Sequence, residues 1–196
     1  MVVAGFLCNE GDSKRLQDLG VRDSKLIADN KLLTIAEQLR SEFAHYVLII
    51  SPEVYNQEYK IIKNLNKMLA AAHARVIENL VSNYGADRVV LDKFGKPELV
   101  ENALATKKIE IELFQIEKGE RLAPVAAASI MARAGFVRAM NELSKKFGLE
   151  IPKGASALVD EAGKRFVKKF GDKALEKIAK VHFKNYSRVL SPNLFN

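Results

Sequence analysis

Apolar residues recur along this chain in two rhythms, and the rhythm in force at each point predicts the element. Val2–Leu7 is a continuous apolar run of the kind a buried strand presents. Gly11–Lys25 is polar and turn-rich and predicts a loop. Over Asn30–Phe43 the spacing becomes helical, with Leu32, Leu33, Ile35, Ala36 and Leu39 on one side. His45–Ile50 reads as a strand. Ser51-Pro52 then supplies a capping hydroxyl and a proline at the first helical position. Asn64–Asn83 is strongly helical through Leu65, Met68, Leu69, Ala72, Val76, Ile77 and Leu80, and Gly85 stands just past its end. Arg88–Asp92 predicts a strand, Glu98–Ala105 a short helix, and Ile109–Ile116 a strand alternating through Ile109, Ile111 and Leu113.

A long helix follows over Leu122–Phe147, with Pro124 in its first turn, then helices over Ser156–Phe170 and Asp172–Lys180. Val181–Asn196 gives no clear pattern. Strands alternate with helices, so the expected class is α/β, a sheet flanked by helices. The 196 residues suit one domain with a real core.

Composition narrows the function classes. Hydrophobic residues make up 48% and charged residues 28%, an ordinary globular mix. No apolar run approaches the roughly 20 residues that span a bilayer. Cys8 stands alone, so no disulfide forms within the chain and a reducing, cytoplasmic setting is expected. The net charge of +7 is concentrated: residues 145–196 carry 12 basic and 5 acidic side chains, against 19 of each in residues 1–144. A concentrated basic end points to a polyanion such as nucleic acid, or to a solvated lysine-rich surface.

Two acids carry the candidate chemistry. Asp92 closes the strand-like run RVVLD, and Glu120 stands 28 residues later, ahead of a small-residue helix. Acids at neighbouring strand ends of an open α/β sheet project into a shared crevice. Carboxylate oxygens there suit Mg²⁺.

Six segments occur in order: LGVRDSKLI (19–27), NLNKMLAAAH (64–73), VVLDKFG (89–95), KGERLAPVAAASIMAR (118–133), IPKGAS (151–156) and KVHFKN (180–185). The series resembles the catalytic domain of the type 2 ribonucleases H, and within them ribonuclease HIII. Glu120, where ribonuclease HII has Asp, and the IPKGAS loop in place of a GYP-type loop mark that branch. The resemblance implies an RNase H-like fold, a mixed central sheet flanked by helices with a helical C-terminal region at about 145–196. It implies hydrolysis of the RNA strand of RNA–DNA hybrids with Mg²⁺ or Mn²⁺ at four carboxylates. Asp92 matches the third and Glu120 the fourth. The first two are an adjacent Asp-Glu pair on the first, central strand, just upstream of the VVAG run that here follows Met1. That strand is therefore expected to be missing, as is the family's separate N-terminal substrate-binding domain. Met1 is then an internal start, or the chain is a fragment, and low or absent activity is expected. A binding homologue that does not cut remains the alternative. A monomer is expected, with no membrane partner.

Other residues have two readings. Lys25, in the Asp23-Ser24-Lys25 motif shared with the family, approaches a phosphate, or Asp23 simply closes a turn on its own backbone. Ser129 bonds phosphate or backbone, or is a small packing residue. Lys153, beside Gly154, is placed for phosphate contact. His182 stands near the scissile phosphate or is a surface residue of the basic end. His73 is a core histidine or a functional one, with no ligand-spaced partner for a zinc site. Lys164, Arg165, Lys168, Lys169 and Lys173 form the expected face for non-specific hybrid binding.

Overall fold

The computed structural model describes residues 1–191 and divides the chain into two compact units. The first comprises Val2–Ile49 and Asn64–Gly135. The second comprises Met1, Ile50–Lys63 and the chain from Phe136 on.

In the first unit, β1 (Val2–Phe6) pairs antiparallel with β2 (His45–Ile49), Val3 opposite Leu48 and Gly5 opposite Tyr46. Between them lie α1 (Ser13–Asp18) and α2 (Asp29–Glu42). Then come α4 (Leu65–Tyr84), β3 (Arg88–Asp92), α5 (Glu98–Thr106) and β4 (Glu112–Ile116), with β3 and β4 parallel and Asp92 opposite Ile116. The helix α6 (Ala123–Phe147) contributes its first half to this unit.

The strands form two ribbons rather than one sheet. Among the described residues β1 pairs only with β2, and β3 only with β4. A cavity of about 500 Å³ lies between them, walled by β1, β3, α4 and α6. No residue of β2 or β4 lines it. The cavity is bordered by β1 and β3, each with one edge unpaired among the described residues.

Small residues let the helices close on the ribbon. A Cβ on Gly5 would meet Leu80 and Val76 of α4 at 2.5 and 2.6 Å. One apolar cluster joins Leu32, Ile35, Ala36 and Leu39 of α2 to Ala126, Ala127, Ile130, Met131 and Ala134 of α6. A second joins Ala70, Ala74 and Ile77 of α4 to Leu91, Val100 and Leu104.

The second unit holds α3 (Pro52–Ile62), the end of α6, α7 (Ala157–Phe170) and α8 (Lys184–Leu190). Its core is Phe166, Leu175 and Val189. Ser51 caps α3, its Oγ accepting from the Val54 N–H at 3.3 Å. Asn56, 2% exposed, donates to the Glu176 and Ala179 carbonyls and accepts from the Val181 N–H.

Three sequence expectations are corrected. Gly11–Lys25 contains α1, anchored by the fully buried Leu16; one apolar residue in a polar stretch is too sparse a pattern to predict it. The strand expected over Ile109–Ile116 begins only at Glu112. The Ile109 N–H bonds back to the Leu104 carbonyl at 3.1 Å, closing α5, and so is spent before the ladder starts. Residues 172–177 form a 3₁₀ helix rather than an α-helix reaching Lys180, and Asn56 takes the Glu176 carbonyl that the Lys180 N–H would bond in a continued α-helix. Within the unpatterned C-terminal stretch α8 forms, and residues 192–196 lie outside the described residues.

Candidate active site

Asp92 ends β3, and the chain returns to it after β4. Ile116 lies opposite Asp92, and the Lys93 N–H bonds the Ile116 carbonyl at 2.8 Å. Lys118 then adopts the left-handed conformation (φ 56°), turning the chain into a 3₁₀ helix over Gly119–Arg121. At that turn the Gly119 N–H donates to Asp92 Oδ1 at 2.9 Å. A Cβ on Gly119 would lie 3.0 Å from Asp92 Cα and 3.2 Å from its Cβ, so any side chain there would force a small shift and glycine fits best. Glu120 is the next residue. The turn that carries Glu120 is thus seated, through Gly119, against Asp92 at the end of β3.

Asp92 also borders the cavity, together with Ser129 and His73. His73 stacks on Phe94 with ring centroids 5.2 Å apart. Burial lowers its pKa from the ordinary 6.5 to about 4, so it is neutral at pH 7. Ser129 does more than pack: its Oγ lies 2.9 Å from the Oγ of Ser24. Lys25 follows Ser24 in a 3₁₀ turn closed by Asp23, whose Oδ1 accepts from the Lys25 N–H at 2.9 Å. The turn reading of Asp23 is thus realised, and it leaves the Lys25 side chain exposed.

Lys153 and His182 belong to the second unit. Lys153 is exposed in the loop before α7, next to Gly154 at φ 101°. His182 stacks on Tyr59 with centroids 3.8 Å apart, and its Nε2 lies 3.5 Å from the Tyr55 hydroxyl. Lys180 Nζ sits 4.4 Å over the Tyr55 ring. Burial, and then the Lys180 charge, lower the His182 pKa.

Among the described residues no three His, Cys, Asp or Glu side chains are grouped to hold a metal. Mg²⁺ usually binds through one or two carboxylates plus phosphate and keeps several waters. Asp92 and Glu120 are carboxylates of the kind such an ion takes.

Sequence reasoning missed two features. The Gly119–Asp92 contact had only the Lys118-Gly119 dipeptide as a signal. The other is Arg133, four residues after Ser129 on α6, whose guanidinium reaches both the Ser24 carbonyl and Asp29.

With this geometry in view, comparison with known proteins is informative. The model of the family described as Ribonuclease HII matches residues 1–186. Ribonuclease HIII of Protochlamydia amoebophila is 36% identical over 97% of this chain and 63% of its own length. Ribonuclease HIII of Chlamydia caviae is 37% identical over 96% of this chain and 64% of its own. The crystal structure of Bst-RNase HIII in complex with Mn²⁺ superposes with a TM-score of 0.90 at 32% identity, over 97% of this chain and 64% of that one. The chain thus spans a little under two thirds of the length of these relatives, and it shares their mixed α/β, RNase H-like fold with a helical C-terminal region.

Proposed function

The chain belongs to the ribonuclease HII family, in its ribonuclease HIII branch, and from that premise we propose that it is the hybrid-cleaving part of a metal-dependent endonuclease. Its substrate is the RNA strand of an RNA–DNA hybrid. Water attacks the scissile phosphorus, the P–O3′ bond breaks, and the products carry 5′-phosphate and 3′-hydroxyl ends. The observation that carries this reading is the Gly119–Asp92 hydrogen bond, which seats the turn carrying Glu120 against Asp92.

Asp92 and Glu120 would hold the divalent ion, Mg²⁺ or Mn²⁺. The chemistry such an ion supplies is polarisation of the phosphoryl oxygen and activation of water. Lys25, exposed at its turn, and Ser129, beside Asp92 on the cavity wall, face the same substrate. Lys153 and His182, on the second unit, are candidates for contact with a nucleic-acid backbone in their own right. His182, its pKa lowered, is neutral at pH 7 and donates or accepts a single hydrogen bond at each ring nitrogen. The basic residues of α7 and the following turn hold the backbone electrostatically, so affinity falls steeply with added salt. A two-carboxylate site neutralises one ion better than two, and low turnover follows.

That same scarcity of acids favours a second reading, a protein that binds hybrid without cutting it. One set of measurements separates them: cleavage of a hybrid labelled on its RNA strand, anisotropy binding of the same hybrid, and Mn²⁺ binding by electron paramagnetic resonance. Metal-dependent cleavage lost in Asp92→Asn supports the enzyme. Salt-sensitive binding without cleavage at any metal concentration supports the binder. Mn²⁺ affinity unchanged in both Asp92→Asn and Glu120→Gln overturns the metal assignment.

A further inference from the structure

Arg133 makes contacts that its position on a helix largely lined with small residues does not require. One nitrogen, Nη1, donates to the Ser24 carbonyl. The other, Nη2, donates to Asp29 Oδ1 at 2.8 Å, on the first residue of α2. One turn earlier on α6, the Ser129 hydroxyl meets the Ser24 hydroxyl at 2.9 Å. Positions 129 and 133 lie about 6 Å apart along one helix face, so the turn is gripped at two points.

These contacts fix one peptide plane. The carbonyl of the Ser24–Lys25 peptide is held by Arg133, and its N–H by Asp23 Oδ1 at 2.9 Å. Ser24 itself is 5% exposed. Val21 and Ile27, on either side, are buried in the α2–α6 cluster. Little is left for the backbone of residue 25 to vary. Its side chain nevertheless points outward, and among the described residues its ammonium has no partner. A rigid base carrying an unpaired cation is an arrangement suited to an external anion, because the ordering of the loop is done before binding.

We infer that Arg133 is a positioning residue: through its fork to Ser24 and Asp29 it presents Lys25 to a phosphate of the hybrid backbone. The inference rests on the reading of Lys25 as a substrate contact. A planar guanidinium reaches two acceptors at fixed geometry, which a lysine ammonium on a flexible stem does not reproduce.

The test is a double-mutant cycle on the 196-residue chain, reading the affinity for a fluorescent RNA–DNA hybrid by anisotropy. Arg133→Met is expected to weaken binding by about fivefold, the scale of one mispositioned contact. Arg133→Lys should weaken it equally, since the charge without the fork does not hold the turn. In a Lys25→Ala background Arg133→Met should have no further effect. Amide exchange at Ser24–Ile27 should accelerate in Arg133→Met while the melting temperature of the chain changes little. If Arg133→Met also lowers the melting temperature, Asp29→Ala, which removes the second acceptor of the Arg133 fork, replaces it in the cycle.

The outcomes separate the two claims. If Lys25→Ala leaves affinity unchanged, Lys25 is not a substrate contact, and the inference falls with that reading. If Lys25→Ala weakens binding but Arg133→Met does not, or does so additively, Lys25 stands and the positioning role is overturned. If Arg133→Lys retains full affinity, Arg133 acts as a charge and not as a clamp.

Discussion

Gly119 donates its backbone N–H to the carboxylate of Asp92 at 2.9 Å, and this one bond holds the turn that carries Glu120 against the end of β3. A side chain at position 119 would sit tight against the Asp92 backbone. Gly119→Ala should therefore push the 118–121 turn away from β3, since the obstructing atom is the Asp92 Cα and not a flexible tip. Overpacking of this kind costs about 1–3 kcal/mol. Urea unfolding checks the cost, and Mn²⁺ binding checks the displacement of the turn that carries Glu120. An alanine variant with unchanged affinity and stability would show that the approach is not required.

The free edge of β1 makes a prediction at single-residue resolution. The Leu7 N–H bonds the Ala44 carbonyl, and hydrogen-bonded pairs alternate along an antiparallel ladder. Val3 and Gly5 are then bonded to β2, while Ala4 and Phe6 direct their N–H groups away from it, along the edge that borders the cavity. Their amides should exchange roughly 100-fold faster than those of Val3 and Gly5. Equal protection, measured by exchange-detected NMR, would mean that another strand covers this edge in solution.

His73 should give the fold an acid-sensitive limb. Burial depresses its pKa from 6.5 to about 4, so the unfolded chain binds a proton that the folded chain does not. The stability contributed is complete above pH 6.5 and lost as pH falls towards 4, by roughly 3 kcal/mol at most. His73→Phe, which keeps a ring against Phe94, should flatten that part of the pH–stability curve. A curve identical to the parent's would place the titrating group elsewhere.

Asp160 ties α7 to α8, accepting from Arg188 Nε at 2.7 Å and Asn185 Nδ2 at 2.5 Å. Burial works against its charge, but the bonds from Arg188 and Asn185 prevail and hold its carboxyl below the usual carboxylate range. Its contribution is present above the ordinary carboxylate pKa and is lost as pH falls through the lowered value. Asp160→Ala should cost about 1.5 kcal/mol, the low end for a charged hydrogen bond because Arg188 is partly exposed. Thermal melts at pH 7 and pH 3 check it: the difference from the parent should shrink at pH 3.

Much of the element order was legible in the sequence because periodicity is a local property. Asn64 and Ser51 announced two helix starts, and both side chains cap as expected. The strand RVVLD ends at Asp92 in the structure as it does in the apolar pattern. Expectations failed where a group outside the element intervened. Leu104 claimed the Ile109 N–H, and Asn56 claimed the carbonyls near residue 177.

The sequence alone determined that the chain alternates strands and helices, that acids stand at a strand end and a turn, and that small residues line α6. Each follows from the order of neighbouring residues. Pairing was decided only in three dimensions: two ribbons with a cavity between them, Gly119 against Asp92, and Arg133 against the Ser24–Lys25 peptide. These depend on backbone groups, which every residue carries alike and which therefore leave no mark in the sequence until the fold brings a partner to them.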